Sequence, residues 1–159
     1  MSSDTKDSLA DLFTRGGIYR DVKGTTVREF LGALTNALPP ISSITPAKLL
    51  EAILEREALM PTGIGNGIAL PHPRNPVISN ESEQFIALAF PEKSIDWNSL
   101  DGQRVDSLLL IVSASAKKHL KTLAEVTFLC RQEHFRHLLR ERASMEKFLR
   151  YIREAERNW

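Results

Sequence analysis

The first half of the chain contains two segments in which apolar residues recur at the spacing of an α-helix. Thr26 precedes the first segment and is followed three residues later by Glu29, the pattern of a capping box, and Pro39-Pro40 ends the segment. Thr45 and Pro46 begin the second, since Thr is a common N-cap residue and Pro a common first helical residue. Two amphipathic helices are therefore predicted, with apolar stripes formed by Val27, Phe30, Leu31, Leu34 and Leu38 and by Leu49, Leu50, Ile53, Leu54 and Met60.

Other segments have the alternating or continuous apolar pattern of β-strands. Residues 18–22 alternate between apolar and polar side chains, whereas 84–90 and 105–112 are almost continuously apolar and are predicted to be buried strands. Shorter strands are predicted at 68–70 and, at a sheet edge, at 95–97. Because these strands alternate with helices, the pattern predicts an α/β fold built in layers.

Helical periodicity returns at both ends of the chain. A short amphipathic turn or helix is predicted at 8–13, and a long helix opens after Ser115. Two further helices follow, the first at 133–142 and the second capped by Ser144. The inner stripe of the long helix is predicted to consist of Leu120, Leu123, Ala124, Thr127 and Cys130.

Composition and charge narrow the class of protein. A length of 159 residues fits one domain with a sizeable core, predicted at 8–157 after a loose polar terminus at 1–7. The net charge of +1 gives no sign of a nucleic-acid partner. The N-terminal residues lack the apolar core of a signal peptide, and no apolar run approaches the length of a membrane span. The single cysteine, Cys130, is expected to be a small buried hydrophobe. We therefore expect a cytoplasmic protein without membrane insertion.

One stretch, 61–74, combines the features of a reactive site. Glycines at positions 63, 65 and 67 allow positive φ angles and close approach of the backbone, and a short apolar run then leads to His72 between two prolines. Pro73 restricts the preceding residue to extended conformations, so the imidazole is presented from a stiff backbone. A lone histidine is often merely structural or exposed, and these residues alone leave both interpretations open.

The same residues carry a resemblance to a known family. The segment Thr-Gly-Ile-Gly-Asn-Gly-Ile-Ala-Leu-Pro-His at 62–72 resembles the active-site signature of the enzyme IIA domains of the bacterial phosphotransferase system, fructose/mannitol/nitrogen-regulatory class. The resemblance implies one α/β domain with a mixed β-sheet flanked by helices. It also implies that His72 accepts a phosphoryl group from the phosphohistidine of the carrier protein HPr and passes it on, which makes the chain a phosphotransferase.

Two further residues gain a role from the resemblance. Arg56 lies only about 20° outside the apolar stripe of its helix, so it can lean back towards the protein, although an exposed arginine paired with a neighbouring Glu is the common alternative. His119 falls in the first turn of the long helix, where unpaired N–H groups and the helix dipole favour a bound phosphate. Arg56 matches the arginine that the family places beside the phosphorylated histidine, and His119 matches its second histidine.

The glycine loop is expected to support the phosphate. Phosphoryl transfer depends mainly on positioning and charge stabilisation, so free N–H groups from Thr62, Gly63, Gly65, Asn66 and Gly67 would be useful, together with the Thr62 hydroxyl. No cofactor and no metal is expected. Pro73 departs from the family, which often has a small residue directly after the histidine. This difference, together with the positive charge that Arg74 adds near the phosphate, bears on the choice of partner.

Three functions remain open at this level. The favoured one is a nitrogen-type regulatory protein whose phosphorylation state controls a target protein by contact. The second is a sugar-transport IIA subunit that donates its phosphate to a separate IIB subunit, since the signature is shared by both groups. The third is an interaction module without phosphotransfer, or a metal site at His72 and His119, although two histidines alone make a poor metal site.

Overall fold

The computed structural model describes residues 7–159, so most of the terminus predicted to be loose, residues 1–6, lies outside the described part. Six helices and five strands follow one another along the described chain, with a short 3₁₀ turn at Glu81–Glu83. The elements are α1 (Leu9–Gly16), β1 (Ile18–Val22), α2 (Val27–Ala37), α3 (Pro46–Leu59), β2 (Gly63–Gly65), β3 (Ile68–Ala69), β4 (Phe85–Pro91), β5 (Ser107–Val112), α4 (Ala116–Cys130), α5 (Glu133–Arg140) and α6 (Met145–Arg157).

The five strands form one mixed sheet in the order β1-β4-β5-β3-β2. Strand β1 is parallel to β4 and β3 is parallel to β5, whereas the β4–β5 and β2–β3 pairs are antiparallel. The centre of the sheet is the β4–β5 pair, with Ile86 opposite Ile111 and Leu88 opposite Leu109. The prediction of a mixed sheet flanked by helices is confirmed.

Each face of the sheet carries its own hydrophobic core, because successive side chains of a strand point to opposite faces. On β4, Ile86, Leu88 and Phe90 join the core beneath α1 and α4–α6, whereas Phe85, Ala87 and Ala89 join the core beneath α2 and α3. Every residue of β4 and β5 is buried, which is why both segments are nearly continuous apolar runs in the sequence.

Three details of the predicted elements need correction. Residues 95–97 form no strand, only an isolated bridge in which Ile95 and Val105 exchange backbone hydrogen bonds of 2.9 and 2.8 Å. The strand predicted at 105–112 therefore begins at Ser107. Glu29 completes only half of a capping box: its backbone N–H donates to the Thr26 hydroxyl, but its carboxylate accepts from Thr25 instead of from Thr26.

The buried face of α4 also differs from the predicted stripe. It consists of Thr122, Val126, Leu129 and Cys130, whereas Leu120 is 67% exposed. Leu120 lies about 200° around the helix from Thr122. The rotation of α4 that buries Thr122 therefore exposes Leu120. Cys130 is buried as expected, and burial raises the pKa of its thiol to about 12.

Candidate active site

The strand order brings the two predicted histidines to the same edge of the sheet. His72 follows β3 after two residues, and α4 with His119 follows β5 after three. Strands β3 and β5 are parallel neighbours, so their carboxyl ends meet side by side. The two imidazole rings are 4.5 Å apart between centroids and tilted by 43°. The sheet topology thus brings together His72 and His119, which are 47 residues apart in the sequence.

His72 is held in one orientation by the backbone just before it. Its side chain is 8% exposed, and Nδ1 lies 2.9 Å from the carbonyl oxygen of Leu70. A carbonyl oxygen can only accept a hydrogen bond, so Nδ1 of the neutral ring carries the proton. The other nitrogen, Nε2, therefore carries the lone pair and is the nucleophilic atom.

His119 occupies the first turn of α4, as the sequence predicted. Ser115 caps this helix by accepting from the backbone N–H of Lys118 at 3.1 Å, and the N–H of His119 closes the turn on the Ser115 carbonyl at 3.0 Å. The imidazole therefore leaves the helix near its positive dipole end, beside His72.

Arg56 lies in the last turn of α3, and its side chain extends over the C-terminal end of that helix. Its Nη1 donates to the carbonyl oxygen of Met60 at 2.7 Å. Its positive charge is close enough to lower the pKa of both histidines. The structure thus brings together the three residues, Arg56, His72 and His119, that the sequence placed in one site.

Electrostatics keep both imidazoles neutral near pH 7. Burial lowers the pKa of His72 and the Arg56 charge lowers it further, against opposing effects from the Leu70 carbonyl and Glu57. For His119, burial, His72 and Arg56 all act in the same direction and lower its pKa to about 4. A neutral imidazole has a free lone pair, which a nucleophile requires.

The glycine loop forms a β-hairpin rather than an open cradle for an anion. Asn66 and Gly67, with φ angles of 56° and 76°, form the two-residue turn between β2 and β3. The N–H of Asn66 donates to Asp101 at 2.9 Å, so it already has a partner. A Cβ on Gly63 would lie 2.1 Å from the hydroxyl oxygen of Ser99, which shows how closely the hairpin packs on the following loop.

Thr62 differs most from the sequence expectation. Its hydroxyl donates to Glu57 at 2.6 Å and its backbone N–H donates to the same carboxylate at 2.7 Å. Both donors that we expected to be free for phosphate are thus already bound. This corrects the expected role of Thr62, because its polar groups join α3 to the hairpin.

Glu57 is the site residue that the sequence analysis missed. It also accepts a hydrogen bond from Nε1 of Trp97 at 3.0 Å, and its negative charge acts on His72. A signal for it was present in the sequence. Glu57 stands four residues after Ile53, which in turn stands four after Leu49, so it continues the buried face of α3. A carboxylate on such a face requires donors to satisfy it.

A cleft of about 240 Å³ opens beside His119. It is lined by Pro73 and Arg74, which directly follow the reactive histidine, and by the exposed side chain of Leu120. Pro73 and Arg74 therefore lie at the rim of the site, next to His119.

No group of three or more His, Cys, Asp and Glu side chains among residues 7–159 lies close enough together to hold a metal ion. Within the same range, no helix is both long enough and apolar enough to cross a membrane.

Comparisons with known proteins show the family of the chain. A family model described as phosphoenolpyruvate-dependent sugar phosphotransferase system, EIIA 2, matches residues 11–155. A nitrogen regulatory protein of Pseudomonas aeruginosa is 29% identical over 150 residues, which are 91% of this chain and 94% of that protein. The fructose-specific EIIABC component of Bacillus subtilis is 26% identical over 152 residues, which are 94% of this chain but only 24% of that protein.

The fold has a solved counterpart as well. The crystal structure of the nitrogen regulatory protein IIA-Ntr from Neisseria meningitidis matches with a TM-score of 0.77 at 22% identity, covering 90% of this chain and 97% of that one. This likeness shows the fold, whereas the family model covers nearly the whole chain, including both histidines and Arg56. The chain therefore belongs to the EIIA 2 family of the phosphoenolpyruvate-dependent sugar phosphotransferase system.

Proposed function

We propose that this chain is a nitrogen-type regulatory phosphocarrier, which accepts a phosphoryl group on Nε2 of His72 from the phosphohistidine of an HPr-type carrier protein. The single observation that carries the proposal is the hydrogen bond of 2.9 Å between Nδ1 of His72 and the Leu70 carbonyl. It leaves the lone pair on Nε2 of a neutral ring, in a site shared with His119 and Arg56. The compartment that we propose is the cytoplasm, where a carrier of this type would meet it.

The chemistry requires no proton transfer on His72. The Nε2 lone pair forms a bond to phosphorus while the P–N bond of the donor breaks, and that electron pair returns to the donor ring. Positive charge develops on the His72 ring and is shared by Nδ1–H. The Leu70 carbonyl accepts from this N–H, so it stabilises the charge as it forms.

Arg56 and His119 stabilise the phosphoryl group rather than react with it. The Met60 carbonyl occupies Nη1 of Arg56, while the guanidinium has five N–H donors in total and can offer others to phosphoryl oxygens. His119, neutral near pH 7, can donate one ring N–H to another oxygen. The hairpin at 62–67 acts mainly as a scaffold, because the N–H groups of Thr62 and Asn66 already have partners.

The regulatory role is supported by similarity. The nitrogen regulatory protein of P. aeruginosa is 29% identical to this chain over 150 residues, which are 94% of that protein. The fructose-specific EIIABC component of B. subtilis is 26% identical over 152 residues. Donation of the phosphate to a separate IIB subunit is the competing function, because that relative belongs to a sugar-transport system.

Two measurements test the proposal. Heteronuclear NMR of the protein labelled by phospho-HPr should place the phosphate on Nε2 of His72, and a phosphate on Nδ1 would contradict the assigned tautomer. Incubation of the labelled protein with a purified fructose-type IIB protein should leave the label in place. Rapid transfer to IIB, with a sugar-specific IIA domain as the positive control, would favour the sugar-transport role.

A further inference from the structure

The Glu57 carboxylate joins three segments that meet at the site. It lies in the last turn of α3 and accepts from the backbone N–H of Thr62 at 2.7 Å, from the Thr62 hydroxyl at 2.6 Å and from Nε1 of Trp97 at 3.0 Å. Thr62 begins the hairpin, and Trp97, which is 2% exposed, belongs to the loop against which the hairpin packs. One side chain therefore fixes the positions of α3, the hairpin and that loop relative to one another.

The two carboxylate oxygens divide these donors between them. One oxygen accepts from the Thr62 N–H and from Nε1 of Trp97, and the other accepts from the Thr62 hydroxyl. An amide in the same place could keep both N–H groups on its oxygen and donate from its N–H₂ group to the Thr62 hydroxyl, which accepts as well as donates. Glu57→Gln therefore removes the negative charge, whereas a shorter side chain removes the reach.

A continuous series of hydrogen bonds leads from Glu57 to the reactive ring. Glu57 holds the N–H of Thr62, and the Thr62 carbonyl accepts from the N–H of Leu70 at 3.0 Å. The Leu70 carbonyl in turn accepts from Nδ1 of His72 at 2.9 Å. Moving Thr62 would therefore move the carbonyl that fixes the tautomer and the rotation of the imidazole.

We propose that Glu57 is a positioning residue for phosphoryl transfer, which orients His72 through Thr62 and Leu70 and stabilises the positive charge that develops on the ring. This inference deepens the proposed function and rests on it. Glu57 touches no reacting atom. It acts through the residues that it holds and through its charge.

The charges around His72 agree with this role. Arg56 and Glu57 face it from α3 and His119 faces it from α4, and burial together with Arg56 lowers its pKa. Glu57 acts in the opposite direction and raises the pKa of His72. Removal of the Glu57 charge should thus lower the pKa of His72 further and make the ring a poorer acceptor of the phosphoryl group.

The test compares Glu57→Gln with Glu55→Gln, a matched control on the exposed side of the same helix turn. NMR titration of the unphosphorylated protein should show a lower pKa for His72 in Glu57→Gln and an unchanged one in Glu55→Gln. In a Trp159→Phe background, Trp97 emission should change only when Glu57 is replaced. A His72 titration identical in both variants would overturn the proposal.

Kinetics with phospho-HPr supply the second measurement. We expect kcat for labelling of Glu57→Gln to fall by about tenfold, with KM changed by less than about twofold, since the lost charge acts on the positive charge that develops on the ring in the transition state. A kcat equal to that of Glu55→Gln would overturn the proposal. The titration and the emission need no phosphotransfer, so they remain informative even if the proposed function fails.

Glu57→Asp covers the case in which Glu57→Gln does not fold. It keeps the negative charge but retracts the carboxylate by one methylene, so it cannot reach Thr62 and Trp97 together. The titration of His72 should stay closer to wild type while kcat still falls. A wild-type kcat in Glu57→Asp would contradict the positioning role.

Discussion

At the scale of single residues, the orientation of His72 follows from one backbone carbonyl. The hydrogen bond from Nδ1 to Leu70 selects the tautomer, and burial together with Arg56 keeps the ring neutral. His119, 4.5 Å away, is subject to stronger effects of the same kind, and its pKa is lowered to about 4. Two adjacent neutral imidazoles avoid a repulsion that two imidazolium ions would suffer.

The depressed pKa of His119 predicts an acid sensitivity of folding. The unfolded chain binds a proton at His119 near its ordinary value of 6.5, whereas the folded protein binds it only near 4. Between these values the unfolded state holds more protons, so stability should fall as pH is lowered from about 6.5 towards 4. Melting temperatures measured across this range should decline less steeply for His119→Gln than for wild type. Parallel declines would show that His119 is not the responsible group.

At the scale of elements, close packing of backbones positions the layers. Gly16 ends α1 directly against β4, and a Cβ there would lie 1.8 Å from the carbonyl oxygen of Ile86. Helix α1 packs on β4 beside the centre of the sheet, so its approach distance affects the whole core on that face. Only glycine permits this approach.

Gly16→Ala should therefore be strongly destabilising. We expect a loss of about 3 kcal/mol in the free energy of unfolding, because backbone atoms of β4 would have to move. Gly102→Ala is the control: Gly102 has a φ of 72° but nothing within 4 Å of an added Cβ, so the cost is the backbone strain of about 1–2 kcal/mol. Urea denaturation of both variants measures the difference, and equal losses would contradict the packing argument.

At the scale of the whole molecule, the two ends of the domain are joined by Glu156. Its carboxylate in α6 accepts from the backbone N–H groups of Leu9 at 2.8 Å and Ala10 at 3.2 Å, the first residues of α1. Ser8 caps the same helix locally, so α1 begins with both a local and a long-range acceptor. The negative charge also complements the dipole of α1.

Glu156→Ala should lower the free energy of unfolding by about 1–2 kcal/mol, since two N–H groups lose an acceptor and the helix dipole loses a charge. Glu154→Ala is the matched control, because Glu154 lies on the exposed side of α6. Thermal unfolding should separate the two variants by several degrees, and a coincident pair of curves would show that this contact contributes nothing to stability.

Much of this architecture could be predicted from the sequence, and the exceptions have physical causes. The buried strands β4 and β5 and the helices with marked caps, such as α2 and α3, follow from local pattern. The edge strand at 95–97 and the inner face of α4 could not, because pairing and helix rotation depend on neighbours distant in sequence.

The residues of the site also divide into those that the sequence predicts and those that it does not. Arg56, His72 and His119 could be found from a motif and from helix positions, and the structure places them together. The use of Thr62 as a partner of Glu57 and the two-residue turn at Asn66-Gly67 could not be found in this way. A glycine pattern indicates backbone freedom but does not show which contacts use it.

The most direct test of the account is labelling with phosphoenolpyruvate, enzyme I and HPr, applied to wild type, His72→Ala and His137→Ala. His137 is an exposed histidine paired with Glu141 and serves as the matched control. We expect acid-labile, alkali-stable phosphate on wild type and on His137→Ala, and none on His72→Ala. Normal labelling of His72→Ala would contradict the assignment of the nucleophile. No labelling of wild type, with HPr active on another IIA domain, would contradict the phosphocarrier function itself.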